Sequence, residues 1–184
     1  MHLVRLLLIA VVLAGMTSYA LADGGLDAKK RKMTGDAMEV IIMRSTLAKN
    51  FVGAQKEISE SMVQSVCTAV STESETIMKR DKVKIRYAAI KYRDPKNTAT
   101  AEEEALLAKF DKDRKLKYQW DEVTIEGKAH LRYSRPIFIE KACLACHGAK
   151  DKLPPAISKL YPEDKAYDFE VGDLRGMVQI TMEK

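Results

Sequence analysis

The chain has 184 residues, long enough for one domain with its own core. Its 31 lysines and arginines against 26 acids leave a formal charge of +5, spread along the chain and interleaved with acids. That reads as a solvated surface and excludes a concentrated nucleic-acid footprint, while a basic face stays available to an acidic redox partner or receptor.

The first residues read as an export leader. His2 and Arg5 form a short basic start, Leu6 to Leu13 is an apolar core, and Ala20-Leu21-Ala22 is a small-x-small cleavage signal before Asp23-Gly24-Gly25. The apolar run is too short for a stable membrane anchor, and no lipobox cysteine lies near the cut. The expectation is a signal peptide over residues 1–22, a periplasmic location, and no membrane attachment after cleavage. Residues 23–35 are polar and basic with two early glycines, which predicts a flexible segment ahead of a domain over 36–184.

Ala37, Val40, Ile41, Ile42 and Leu47 predict an apolar helical stripe running toward Phe51, with a break at Gly53. A second helix is expected over about 54–70. On it Val63, Val66, Cys67 and Val70 have i, i+3, i+4, i+7 spacing, which turns Cys67 toward the core. Thr72 and Glu75 predict the cap of a further short helix. Over 82–93, Val83, Ile85 and Tyr87, then Ile90 and Tyr92, alternate with basic residues. This is a strand whose phase slips at Ala88-Ala89, and Asp94-Pro95-Lys96-Asn97 ends it with turn chemistry.

Thr100 with Glu103 is a capping box for a surface-lying helix through Leu106, Leu107 and Phe110. Residues 116–125 and 129–139 read as two strands about a turn at Glu126-Gly127-Lys128. Ala129, Leu131 and Tyr133 share one face, His130 and Arg132 the other, and Pro136 marks an edge or an irregularity. Val178, Ile180 and Met182 alternate with polar residues in a last strand over 176–182. Helices followed by antiparallel strands predict an α+β fold, a sheet faced by helices.

Between the strand pair and the last strand lies Cys143-Leu144-Ala145-Cys146-His147-Gly148. C-x-x-C-H is the attachment pattern of a c-type haem. Two thiols on one side of a helical turn add to the two vinyl groups of one haem, and the adjacent histidine is held under the iron as proximal ligand. A zinc half-site is the first alternative, but no second Cys/His pair exists to complete a tetrahedron. A redox dithiol is the second, but it belongs to a βαβ pattern not found here. The leader and the motif agree, because covalent haem attachment takes place outside the inner membrane. The remaining cysteine, Cys67, is then the odd one of three.

An ordered set of landmarks goes further. It comprises Val66-Cys67, Arg86, Arg93-Asp94-Pro95-Lys96-Asn97, Arg132-Tyr133-Ser134-Arg135-Pro136-Ile137, the haem motif, Tyr161-Pro162-Glu163-Asp164-Lys165-Ala166 and Gly172-Asp173-Leu174-Arg175-Gly176. With these the chain resembles the periplasmic single-haem c-type proteins with a PAS-like fold, over about residues 40–182. The resemblance implies a PAS-like antiparallel sheet with N-terminal helices, one covalent haem c, and His/Cys ligation of its iron. Cys67 stands where the cysteine ligand of that family would lie. Where family members often carry Ala-Pro shortly after that cysteine, this chain has Val70-Ser71.

The metal ligands expected are therefore His147 and Cys67, with Cys143 and Cys146 carrying the haem. A thiolate is a good ligand for ferric iron. The alternatives for the sixth position are His130, one of Met38, Met43 and Met62, or an open site, with Cys67 then a buried inert thiol. Haem propionates need cationic partners, and Arg86, Arg132 and Arg135 are the candidates near the haem-bearing strands. A thiolate that leaves on reduction opens a place for a diatomic gas. The leading expectation is a sensor of redox state or of NO or CO, signalling through a periplasmic partner. A plain electron carrier is the alternative. A peroxidase-like enzyme is the third class, disfavoured because His130 is the only other histidine after the leader and nothing puts it at the iron.

Overall fold

In a computed structural model, the backbone of residues 2–53 and 58–184 and the side chains of 25–50 and 58–184 are described. The leader expected over 1–22 and the helix start expected at Ala54 lie outside the described side chains and backbone respectively. Among the described residues, no helix is long and apolar enough to cross a membrane.

Two long helices come first, α1 (His2–Gly53) and α2 (Glu60–Asp81). The flexible segment expected before residue 36 is instead part of α1. Met33 and Asp36 lie one turn apart and are both buried, so the helix is held by tertiary packing that polar composition does not reveal. The predicted break before Thr72 is also absent, and α2 runs through it to Asp81. The Thr72 carbonyl accepts from the Thr76 hydroxyl within the helix. The real N-cap is Ser59, whose side chain accepts from Met62 N, and the helix ends at Lys82 in the left-handed region with φ 52°.

A polar clasp ties the two helices together. Arg80 donates to Asp81 at 2.9 Å, Glu39 at 3.0 Å and Asp36 at 3.4 Å, and Lys32 meets Asp81 at 2.5 Å.

Four strands follow: β1 (Lys84–Ala88), β2 (Gln119–Ile125), β3 (Lys128–Phe138) and β4 (Leu174–Glu183). They form one antiparallel sheet in the order β1-β4-β3-β2. The hairpin between β2 and β3 turns through Glu126 and Gly127, both at positive φ. Strand alternation splits the sheet into two faces. Leu131, Tyr133, Val178, Ile180 and Met182 pack against Met33, Ala37, Val40 and Ile77 of the long helices. On the other face Ala88 and Met177 meet Leu106, Leu107 and Phe110 of α3 (Ala101–Lys112). This helix carries the expected capping box of Thr100 and Glu103. It is less superficial than expected, because Phe110 is fully buried.

The phase slip at Ala88-Ala89 marks the end of β1. Both alanines are buried, and Ala89 bridges to Thr98. Pro136 sits where β2 has stopped pairing at Ser134, so its missing N–H is tolerated beside a free edge. The α+β reading, a sheet with helices from the N-terminal part of the chain, therefore holds.

The ladder between β3 and β4 contains one irregularity that matters for the site. Ile137 pairs with Gly176 and Phe138 with Leu174, so Arg175 is the extra, unpaired residue of a bulge. Gly176 has φ 154°, and a Cβ there would lie 2.6 Å from the Ala88 carbonyl oxygen. Only glycine fits this crossing.

Candidate functional site

The haem motif forms a tight double turn. A 3-10 turn (Lys141–Cys143) runs into the one-turn helix α4 (Leu144–His147), and Gly148 N donates back to Leu144 O at 2.8 Å. Cys143 and Leu144 pack on a small separate core of Ile139, Ala166 and Phe169. The following loop closes over the motif. Asp168 N donates to Gly148 O at 2.8 Å and Phe169 N to His147 O at 3.1 Å.

Cys143, Cys146 and His147 line a cavity of about 510 Å³, within the ~300–1,000 Å³ usual for ligand pockets. Its opposite wall is α2, with Met62, Val63, Val66, Cys67 and Val70. Cys67, 76 residues before Cys143 in the chain (143 − 67), thus faces the same space, as its helical spacing predicted. Met62 lines the cavity too, whereas Met38 and Met43 do not. Helix α5 (Pro155–Leu160) contributes Ile157 and is followed by Tyr161 beside Cys67. Burial first, and then Cys67, pushes the Tyr161 phenol above its ordinary range.

The ring of His147 is oriented by its Nδ1, which lies 2.8 Å from the Ala166 carbonyl oxygen. A carbonyl only accepts, so Nδ1 carries the proton and the other ring nitrogen is free to ligate. Burial, then Arg175 and Arg93, holds His147 well below its usual range, which keeps its imidazole neutral. Burial likewise raises the Cys146 thiol, against the lowering influence of Arg93.

Four arginines line the cavity: Arg44, Arg93, Arg135 and Arg175. The carboxylates on its wall are already taken, Asp94 by Lys96 and Glu140 by Lys49. Arg175 reaches only the Lys91 carbonyl, at 3.0 Å, and its Nε is buried without a partner, as is the Nε of Arg93. Burial first, and then repulsion from Arg44 and Arg93, pulls the Arg175 guanidinium down to about 9. A pocket with two thiols, a neutral imidazole and uncompensated guanidinium groups can hold a haem by thioethers, an axial nitrogen and its anionic propionates.

Two of the three expected propionate partners belong elsewhere. Arg86 grips Glu103 with two bonds of 2.6 and 2.9 Å and also donates to Thr98 O, so it buttresses α3. Arg132 pairs with Glu102 and Asp121. Both sit on the α3 face because they alternate with Tyr87 and Tyr133, which face the long helices. Arg135 does line the cavity and donates to the Tyr133 hydroxyl at 3.2 Å. His130 is not a surface residue. It is buried on the α3 face of β3, outside the cavity wall, with Nδ1 2.9 Å from Lys128 O.

Sequence reasoning passed over Arg44, Arg93 and Arg175 as site residues. Arg93 and Arg175 lie inside the landmark segments, but nothing in local pattern marks a bulge that frees one arginine from a strand.

This sheet, with two long helices on one face and a cysteine-histidine turn opening a shared cavity, places the chain in a family. The Tll0287-like family profile matches residues 28–183, and the chain belongs to that family. The crystal structure of the cyanobacterial heme-protein Tll0287 aligns with a TM-score of 0.74 at 33% identity, covering 85% of this chain and 96% of that one. Among curated proteins none matches.

Proposed function

We propose that the chain is an exported single-haem c-type protein of PAS-like design that senses redox state or a diatomic gas such as NO or CO. The observation that carries this reading is one cavity lined both by the C-x-x-C-H turn and by Cys67 from α2. Membership of a family whose solved relative is a heme-protein supports it.

Cys143 and Cys146 would hold the haem covalently, and His147 and Cys67 would be the residues offered to its iron. Arg44, Arg135 and Arg175 would meet the propionates. When bound, a haem would supply one-electron redox chemistry and an iron able to take up a small ligand. The residues of this chain do the rest. Ala166 O keeps the proton on Nδ1 of His147, and the valines of α2 exclude water around Cys67. The negative charge of a Cys67 thiolate would favour the ferric over the ferrous state of a bound haem, which would make Cys67 the redox-sensitive element of this reading. The chain then reports to a periplasmic partner. Catalysis is not part of the reading, since His147 is the only histidine among the described cavity residues.

Ferric and ferrous spectra of Cys67→Ala, with and without CO, test the proposal. A changed ferric spectrum with covalent haem retained is expected. Spectra matching the wild type in both states would remove Cys67 from the iron and sink the sensing mechanism. Fast exchange with a donor, with no CO binding to the reduced wild type, would identify an electron carrier instead. Mass spectrometry of the exported protein checks cleavage after Ala22.

A further inference from the structure

Arg93 occupies an unusual place behind the site. It follows β1, and only 12% of its side chain is exposed. Its NH2 group donates to the carbonyl of Cys146, lies 3.4 Å from Ala166 O, and stands 3.3 Å from His147 Nδ1. Asp164 Oδ2 meets the same nitrogen at 3.2 Å. The guanidinium also lies 5.8 Å from the centre of the Tyr161 ring, the residue beside Cys67. One cation therefore touches the turn that carries His147, the carbonyl that orients its ring, and the aromatic neighbour of Cys67.

Resting on the haem reading above, we propose that Arg93, held by Asp164, is a positioning residue that fixes the His147 imidazole and limits its electron donation to a bound iron. Two effects act in the same direction. A guanidinium sharing the Ala166 carbonyl draws electron density from it, so the carbonyl accepts the Nδ1 proton less strongly. A weaker acceptor at Nδ1 makes the opposite nitrogen a less basic ligand. The fixed positive charge also disfavours the ferric state, which carries one more positive charge than the ferrous. Arg93 thereby offsets part of the ferric preference that an anionic thiolate would impose. Lysine would keep the charge and lose the planar fork, so it would restore the electrostatic part alone.

Spectroelectrochemical titration and ferric EPR of haem-loaded wild type, Arg93→Gln and Arg93→Lys test this. Arg93→Gln is expected to raise the ferric-to-ferrous ratio at a fixed ambient potential about tenfold, a midpoint about 59 mV lower for one electron. Its ferric EPR signature should move as well, and Arg93→Lys should recover part of the midpoint shift. An Arg93→Gln protein with the wild-type midpoint and EPR overturns the proposal. So does a shift that Arg93→Lys leaves wholly uncorrected, because lost packing then explains it. If Arg93→Gln does not fold, Arg93→Lys alone decides: altered EPR with a midpoint lowered by clearly less than about 59 mV supports the role, and unchanged values or a full shift of that size overturn it. A wild type that carries no haem overturns the haem reading itself and this inference with it. A haem-loaded wild type with an unmoved Arg93→Gln overturns the inference alone.

Discussion

The two walls of the cavity are built by different forces. The wall carrying Cys143, Cys146 and His147 is tied down by directional bonds. Gly148 O, His147 O and the His147 ring each have a fixed partner in the loop through 166–169, and Arg93 donates to the turn itself. The wall carrying Cys67 meets the cavity through Val63, Val66 and Val70. Helix α2 is secured on either side of this stretch, by Glu60 to Lys159 at its start, by Ser74 to Tyr87 further on, and by the Arg80 clasp at its end. Hydrogen bonds fix orientation, whereas apolar contact is non-directional and lets a side chain shift at small cost. Under the proposed function, His147 would be the fixed ligand and Cys67 the releasable one.

The largest expected difference comes from cutting each wall in turn. The double variant Cys143→Ala/Cys146→Ala, which removes both attachment thiols, should leave any haem extractable in acid acetone. Cys67→Ala should keep all of it bound covalently. If both variants retain haem to the same extent, the two walls are not different in kind.

Next comes Gly176→Ala, which attacks the bonded wall through the bulge that aims Arg175. The added Cβ would meet the Ala88 carbonyl at 2.6 Å, and the backbone there is strained for any L side chain. A loss of about 2–4 kcal/mol in denaturant unfolding is expected. A loss below about 1 kcal/mol would mean that the crossing relaxes freely.

A smaller effect tests the clasp that supports the Cys67 wall. Asp36 is buried, faces Asp81, Lys32, Arg80 and Glu39, and has a carboxyl raised from 3.8 to about 6, by burial first and then by Asp81. The folded chain therefore binds this proton more tightly than the unfolded chain. The resulting stability is full below pH 3.8 and is lost as pH rises through about 6. Asp36→Asn should flatten that slope and stabilise the protein by about 1–2 kcal/mol at pH 8 relative to its value at pH 4. An unchanged slope in pH-dependent unfolding would show that Asp36 is not the titrating group.

Last is Glu60→Ala, which removes the exposed bridge to Lys159 at the start of α2. A change of about 0.5 kcal/mol is expected. Anything above about 2 kcal/mol would show that α2 is held at its start by more than a surface pair.

The haem motif, the core-facing Cys67, the capping box at Thr100 and Glu103, and the β2–β3 hairpin were all legible in the residues. Each depends on neighbours within a few positions: two thiols and a histidine on one turn, apolar residues at helical spacing, a side chain reaching its own helix start. The helical course of residues 25–35 was not legible, because Met33 and Asp36 are held by partners on α2 and the sheet that no local pattern displays. The unbroken run of α2 through Thr72 was hidden for the same reason.

The arginines separate most sharply what the sequence alone determined from what the tertiary structure decided. That this protein has a C-x-x-C-H turn and one further cysteine on an apolar helix face follows from the sequence by itself. Which cations surround the cavity does not. Arg86 and Arg132 were close in sequence to the right strands, yet strand alternation sends them to α3, where Glu103, Glu102 and Asp121 pair with them. Arg175 reaches the cavity because a bulge takes it out of the ladder, and Arg93 because the loop ending at Ala166 folds back onto the motif. A charge carries no local signal of the partner it will meet, so only the packed chain could assign these roles.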